Sequence, residues 1–277
     1  MLNIIIGKNS NLSKVLEKSL VNTILVSTIN SVRELDALNL SREKSINIIF
    51  NNFQMATKLN DLSHPKEYIE RTVMSTAIVL EYIKTHSLNI NKIIYTSSSS
   101  VYGNNILCSE KDPVLPLNLH ASLKVTNEKL IENFSLDNGI DYTIARIFNM
   151  YGGEDRFSII SKIIDAYKKN NMLTIVNDGN GIRDFIHIED VAYIYQQLIS
   201  QKNIPILNIG TGEGRSIRNI LGYLKNNNLE IETTTIKREE LKVSTADNTS
   251  LRELIGDYVF KDVEKFIKKS IEGKVNE

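Results

Sequence analysis

The sequence has a single cysteine, Cys108, in 277 residues. An intrachain disulfide is therefore excluded, and a reducing compartment fits. Charge of one sign is also missing, since Lys+Arg and Asp+Glu count 33 each. That balance excludes the global basic field that draws a protein to nucleic acid or to an acidic membrane. Long apolar runs are absent as well. The first run, inside MLNIIIGKNSN, is too short for a secretion signal or a membrane span. A cytoplasmic protein is expected, with no nucleic-acid and no membrane partner. The four histidines are scattered without ligand spacing, so no metal site is expected. No linker rich in Pro, Gly or Ser, no low-complexity tract and no internal repeat interrupts the chain.

What is present is ordinary for a globular protein, at 42% hydrophobic and 24% charged residues. The length suffices for one large core or a main domain with a smaller lobe. Through the first half, short apolar runs alternate with stretches of helical spacing. LNIIIG, TILVS, INIIFNN, KIIYTSSSS and DYTIARIF read as strands. NLSKVLEKSL, the stretch from Pro65 through YIERTVMSTAIVLEYIKTH, and HASLKVTNEKLIENF read as helices. The strand runs are continuous rather than alternating, which marks a parallel sheet covered on both faces. The expected class is α/β, a Rossmann-like doubly wound sheet with a smaller α+β C-terminal lobe. Residues 1–150 are expected to form the dinucleotide-binding domain, with elements returning near 183–210, and 151–277 mainly the substrate lobe, with a cleft between the two parts. Ligands of such sheets lie beyond the carboxyl ends of the strands. Gly7, Asn51, Ser97 to Ser100 and Asn149 all fall just past predicted strand ends.

Three stretches suggest chemistry. In GKNSNLS, Gly7 is the one glycine of a possible phosphate-binding turn, and Ser10 and Ser13 take the next two small positions. The second strand ends VSTINSVR with no acidic residue at its tip. A carboxylate there would hold an adenosine ribose and repel a 2′-phosphate; its absence permits NADP, with Lys8 or Arg33 as phosphate partner. In YTSSSSVYG, four hydroxyls leave an apolar strand, where each needs a partner. In HASLK, His120 and Lys124 lie four apart and share a helix face.

The order of SSSSVYG, HASLK, ARIFNMYG, IRDFIHIEDVA, LNIGTG and ADNTSLRELIG resembles the extended short-chain dehydrogenases/reductases that act on nucleotide sugars. These include UDP-galactose 4-epimerases, dTDP-glucose 4,6-dehydratases and NDP-4-keto-sugar reductases, and the resemblance covers nearly the whole chain. It implies that Ser98, with Ser99 beside it, meets the reacting sugar oxygen. It implies that Lys124 holds the nicotinamide ribose, and that His120 stands where the family carries its proton-exchanging tyrosine. Gly7, Lys8, Ser10, Leu12, Asn51 and Lys124 become cofactor residues. Asn149 and Arg183 become partners of the substrate phosphates, with Arg238 or Lys237 as a further one. Asp184, His187 and Asp190 are expected to fix a turn and cap a helix. An imidazole titrates near about 6.5, and the Lys124 ammonium should lower His120 further, making it a better base than acid at neutral pH. The implied function is an NAD(P)-dependent oxidoreductase of a nucleotide-diphosphate sugar. A 4-keto-sugar reductase is placed ahead of a 4-epimerase or a catalytically impaired sugar-nucleotide binder, and NADP ahead of NAD. A homodimer through the helices at 65–86 and 119–137 is a further implication of the resemblance.

Overall fold

Isoleucine-rich runs without polar alternation fit best in the middle of a sheet covered on both faces. In the computed structural model, which describes residues 1–52 and 63–273, β1 (Leu2–Ile6) and β3 (Ile46–Phe50) are buried at every position. β1 pairs in parallel with β2 (Thr23–Val26) on one side and with β3 on the other. β3 pairs in parallel with β4 (Ile90–Ser98), and β4 with β6 (Asp141–Ile147). β10 (Ile206–Ile209) completes the order β10-β6-β4-β3-β1-β2. Helices α1 (Asn11–Ser19), α2 (Ser31–Asp36), α3 (Pro65–Ile69), α4 (Ser75–Thr85) and α5 (Leu119–Asn138) flank this sheet, α3 running into α4 through a π turn at Glu70–Met74. The Rossmann-like α/β fold expected from the sequence is the fold observed.

The chain divides into two compact units: Met1–Gly103, Pro113–Ile147 and Ala192–Leu207 form the first, and Asn104–Asp112, Phe148–Val191 and Asn208–Glu277 the second. The second is built on short strands. β11 (Gly214–Ser216), β9 (Ile182–His187), β13 (Val243–Ala246) and β5 (Leu107–Cys108) lie in that order, β7 (Asn149–Tyr151) also pairs with β9, and β8 (Leu173–Val176) pairs in parallel with β12 (Thr233–Ile236). Its apolar cluster gathers Ile160 and Ile163 of α6 (Ile159–Lys169), Ile220 and Leu224 of α8 (Ile217–Asn226), and Ile267 of α10 (Val263–Ile271). The remaining helices are α7 (Ile188–Ser200) and α9 (Thr249–Ile255). Among the described residues no helix is long and apolar enough to cross a membrane.

Asn149 falls just past β6, which stops at Ile147, as expected, and it also opens β7, which pairs with β9. Asn51 and Asn52, just past the end of β3, are buried.

Candidate active site

Gly7 ends β1 with φ +119°. A Cβ there would lie 2.4 Å from Asn51 O, so the glycine is demanded by the close passage of the β3 chain as well as by the turn. The neighbours of β1 are β2 on one side and β3 on the other, which makes this the switch point of the sheet, where such folds take their ligands. Ser13 Oγ donates to Gly7 O (2.8 Å), and Asn51 Nδ2 donates to Ser10 Oγ (3.1 Å) and Ser13 Oγ (2.8 Å). The serines in the expected glycine positions thus brace the turn against β3. Ser10 precedes α1 without capping it, and the first turn of α1 holds no acidic residue, an arrangement suited to an anion. Leu12 is wholly buried, so its side chain belongs to the core rather than to a ligand. Asn51 Oδ1 and Asn52 Oδ1 are buried and accept from no donor among the described residues, and a buried acceptor of this kind calls for a donor. The turn, the uncapped helix and the orphan acceptors fit a dinucleotide.

At the end of β2 the structure corrects the sequence reading. Glu34, in the first turn of α2, folds back so that Oε2 accepts Ser27 N–H (2.9 Å) and Oε1 accepts Lys8 Nζ (2.7 Å). Lys8 holds the Glu34 carboxyl below its usual range, with the Ser27 amide adding to the effect. An acid therefore does stand at the tip of β2. Lys8 is engaged with it rather than free for a 2′-phosphate.

β4 carries the serine cluster. It stays a strand through Ser98, and Ser99–Tyr102 form a 3₁₀ turn whose first free amide, Ser100 N–H, donates to Ser98 Oγ (3.2 Å). The Ser98 hydroxyl proton is thereby left to be given elsewhere. Ser97 is buried and donates to Glu128. Ser100 Oγ is buried with no partner among the described residues.

α5 starts where Asn118 Oδ1 accepts Ala121 N–H (2.9 Å), and it ends at Gly139 in the left-handed region. Its buried stripe mixes apolar Ala121, Leu123 and Ile131 with polar Lys124, Asn127, Glu128 and Ser135. Lys124 is 3% exposed; its Nζ donates to Thr96 O (2.7 Å) and lies 5.0 Å from the centre of the Tyr95 ring. Burial pushes Lys124 down to about 7, with the Glu128 carboxylate acting in the opposite sense. His120, one turn earlier, is pushed down to about 4, first by burial and second by Lys124. The lowering expected from Lys124 is present, and burial is the larger cause. The imidazole is neutral at physiological pH and only weakly basic.

In the second unit, Asn149 Nδ2 donates to Asp184 O (3.1 Å). Arg183 Nη2 pairs with Glu240 (3.1 Å), a partner the sequence did not suggest, while burial lowers its pKa and Glu240 opposes that. Arg238 is exposed, and its backbone exchanges bonds with the Asn177 side chain; Lys237 pairs with Asp178 (3.0 Å). Asp184 fixes a turn as expected, accepting from Thr211 N and Oγ1, Gly212 N and Ala246 N. His187 Nδ1 accepts Glu189 N–H at the start of α7. Asp190 does not cap that helix: its oxygens take Tyr258 OH (2.8 Å) and Lys261 N–H (3.0 Å). A cavity of about 360 Å³, lined in part by Phe185, Arg215, Arg252 and Phe260, belongs to this unit and contains none of the sequence-predicted residues.

A family model described as the NAD dependent epimerase/dehydratase family matches residues 10–210. The chain belongs to that family. It is 29% identical over 201 residues to a Methanocaldococcus jannaschii protein provisionally named a UDP-glucose 4-epimerase, covering 70% of this chain and 65% of that one. It is 28% identical over 183 residues to UDP-glucose 4-epimerase 4 of Oryza sativa subsp. japonica, covering 57% and 49%. The chain thus spans less than two thirds of the length of these relatives. Among solved structures, MoeE5 in complex with UDP-glucuronic acid and NAD superimposes with a TM-score of 0.86 at 22% identity, over 99% of both chains. The Thermus thermophilus UDP-glucose 4-epimerase complex with NAD gives 0.84 at 16% identity, over 99% and 100%. At these identities the likeness to solved members of the family is one of fold.

Proposed function

We propose that this family member binds NAD and exchanges hydride at C4 of a nucleotide-diphosphate sugar, as a 4-keto-sugar reductase. One observation carries the reading: the buried Lys124 amine is anchored on Thr96 O, two residues before Ser98 on the same strand end. Amine and hydroxyl therefore belong to the carboxyl end of a central strand, where ligands of doubly wound sheets lie. NAD, when bound, supplies the hydride acceptor or donor. Ser98 Oγ, already accepting from Ser100, gives its proton to the sugar oxygen. Ser98 takes a proton back from water as it gives one up, and Lys124, anchored on Thr96 O, holds the ribose. His120 stays uncharged, fills the tyrosine's place and moves no proton at neutral pH. Asn149 and Arg183 are assigned to the diphosphate.

NAD rather than NADP is supported by the Glu34 carboxylate at the end of β2, which would hydrogen-bond a ribose and repel a 2′-phosphate. Fluorescence titration should give NADH at least roughly tenfold tighter binding than NADPH, and Glu34→Gln should narrow the gap by a similar factor. NADPH binding as tightly as NADH would remove the cofactor choice, and binding of neither would remove the enzyme reading. A second reading, a 4-epimerase, is favoured by the names of the curated relatives. The two separate in one assay. A reductase consumes NADH with a 4-keto sugar nucleotide, whereas an epimerase inverts C4 of UDP-glucose with no net change in NADH.

A further inference from the structure

α5 places Lys124, Asn127 and Glu128, all 5% exposed or less, where an amphipathic helix carries apolar side chains. Asn127 Nδ2 donates to Tyr95 OH (3.2 Å). Glu128 accepts from Ser97 Oγ, from Arg146 Nε (3.1 Å) and from Arg146 Nη2 (2.7 Å). Arg146 Nη1 then donates to Tyr102 OH (2.9 Å). Ser97 immediately precedes Ser98, and Tyr102 closes the turn that follows it. The network grips the Ser98 segment from both flanks and ties it to the helix that carries Lys124.

A buried carboxylate–guanidinium pair is a poor device for stability alone, since apolar side chains of the same volume often serve as well. We propose that Glu128 is a positioning residue: clamped by Ser97 and Arg146, it fixes the Ser98 turn against α5 and supplies the counter-charge for the Lys124 ammonium. The proposal rests on the reading of Lys124 as the ribose-binding group. Lys124 is faced by the Tyr95 ring and Thr96 O from β4 and by His120 and Glu128 from its own helix, while Tyr195 of α7 reaches the Thr96 hydroxyl (2.7 Å). Burial pushes both tyrosines up, so they stay neutral, and His120 is neutral too. Glu128 is the charge that opposes the burial of the ammonium. Arg146 offsets part of that carboxylate, so weakening Arg146 and removing the Glu128 charge should act on Lys124 in opposite directions.

The test follows the Lys124 Cε resonance with pH in the full chain carrying ¹³C-lysine, assigned by its loss in Lys124→Arg. Glu128→Gln, which keeps the shape and drops the charge, should lower the titration midpoint by roughly a unit. Arg146→Lys, which keeps a cation and breaks the fork, should leave the midpoint at or above that of the parent. A Glu128→Gln midpoint that is unchanged or raised overturns the proposal, as does a common fall in both variants, the mark of general loosening. Should Glu128→Gln fail to fold, Glu128→Asp decides: a midpoint near the parent value supports the proposal, and a fall of a unit or more overturns it. NADH titration of the same samples keeps the two claims apart. A shifted midpoint without NADH binding sinks the cofactor reading alone, and NADH binding without the shift sinks the role of Glu128 alone.

Discussion

An imidazole pushed down to about 4 gives little at neutral pH as either acid or base. Burial does most of this, so the effect persists whatever the state of Lys124. His120→Tyr returns a phenol to the face that Lys124 shares. Hydride transfer between NADH and a keto-sugar nucleotide should then rise by roughly 10²-fold, followed as NADH consumption. An unchanged or slower rate would mean that the imidazole has a task of its own. The same scale explains why the acid at the tip of β2 escaped the sequence. Glu34 lies seven residues beyond Ser27, the residue whose amide it accepts, and only the fold of α2 brings it back.

Among the elements, those carried by long apolar runs were legible. The unbroken isoleucine runs of β1 and β3 and the helical spacing of the 20-residue α5 stand in the chain itself. Strands of two to four residues, such as β5, β7, β11 and β13, are too short to show a pattern and exist because a neighbouring strand pairs with them. At α5 the site signal was present but unread: Lys124, Asn127 and Glu128 make a polar stripe at helical spacing. The turn after β1 keeps a single glycine, with serines in the next two small positions. In the structure those serines accept from Asn51, and Gly7 alone meets a backbone conflict. Gly7→Ala should therefore cost about 2–4 kcal/mol in denaturant unfolding, from positive φ and overpacking against Asn51. A loss under about 0.5 kcal/mol would show that β3 yields there.

For the whole molecule, pH acts through two histidines, the half-buried His120 and the buried His187. His120 and His187 are both pushed down to about 4, chiefly by burial, from an unfolded value near about 6.5. Between those limits the unfolded chain binds protons that the folded chain refuses, so their contribution to stability is complete above the unfolded value and is lost as pH falls toward the folded one. Asp184 and Asp190, raised by burial, work in the opposite sense at the acid end. Comparison with a variant isolates the histidine part. His187→Phe should show a shallower fall of melting temperature between about pH 6.5 and 4 than the parent protein; parallel curves would contradict it.

The two units are interleaved along the chain, with Asn104–Asp112 interrupting the first and Ala192–Leu207 returning to it. During synthesis the large sheet lacks its edge strand until residue 209 has been made, long after β1 has left the ribosome. Until then β6 waits with an unpaired edge, so chaperone demand should fall on this stretch of translation. For the same reason no single cut can release either unit intact.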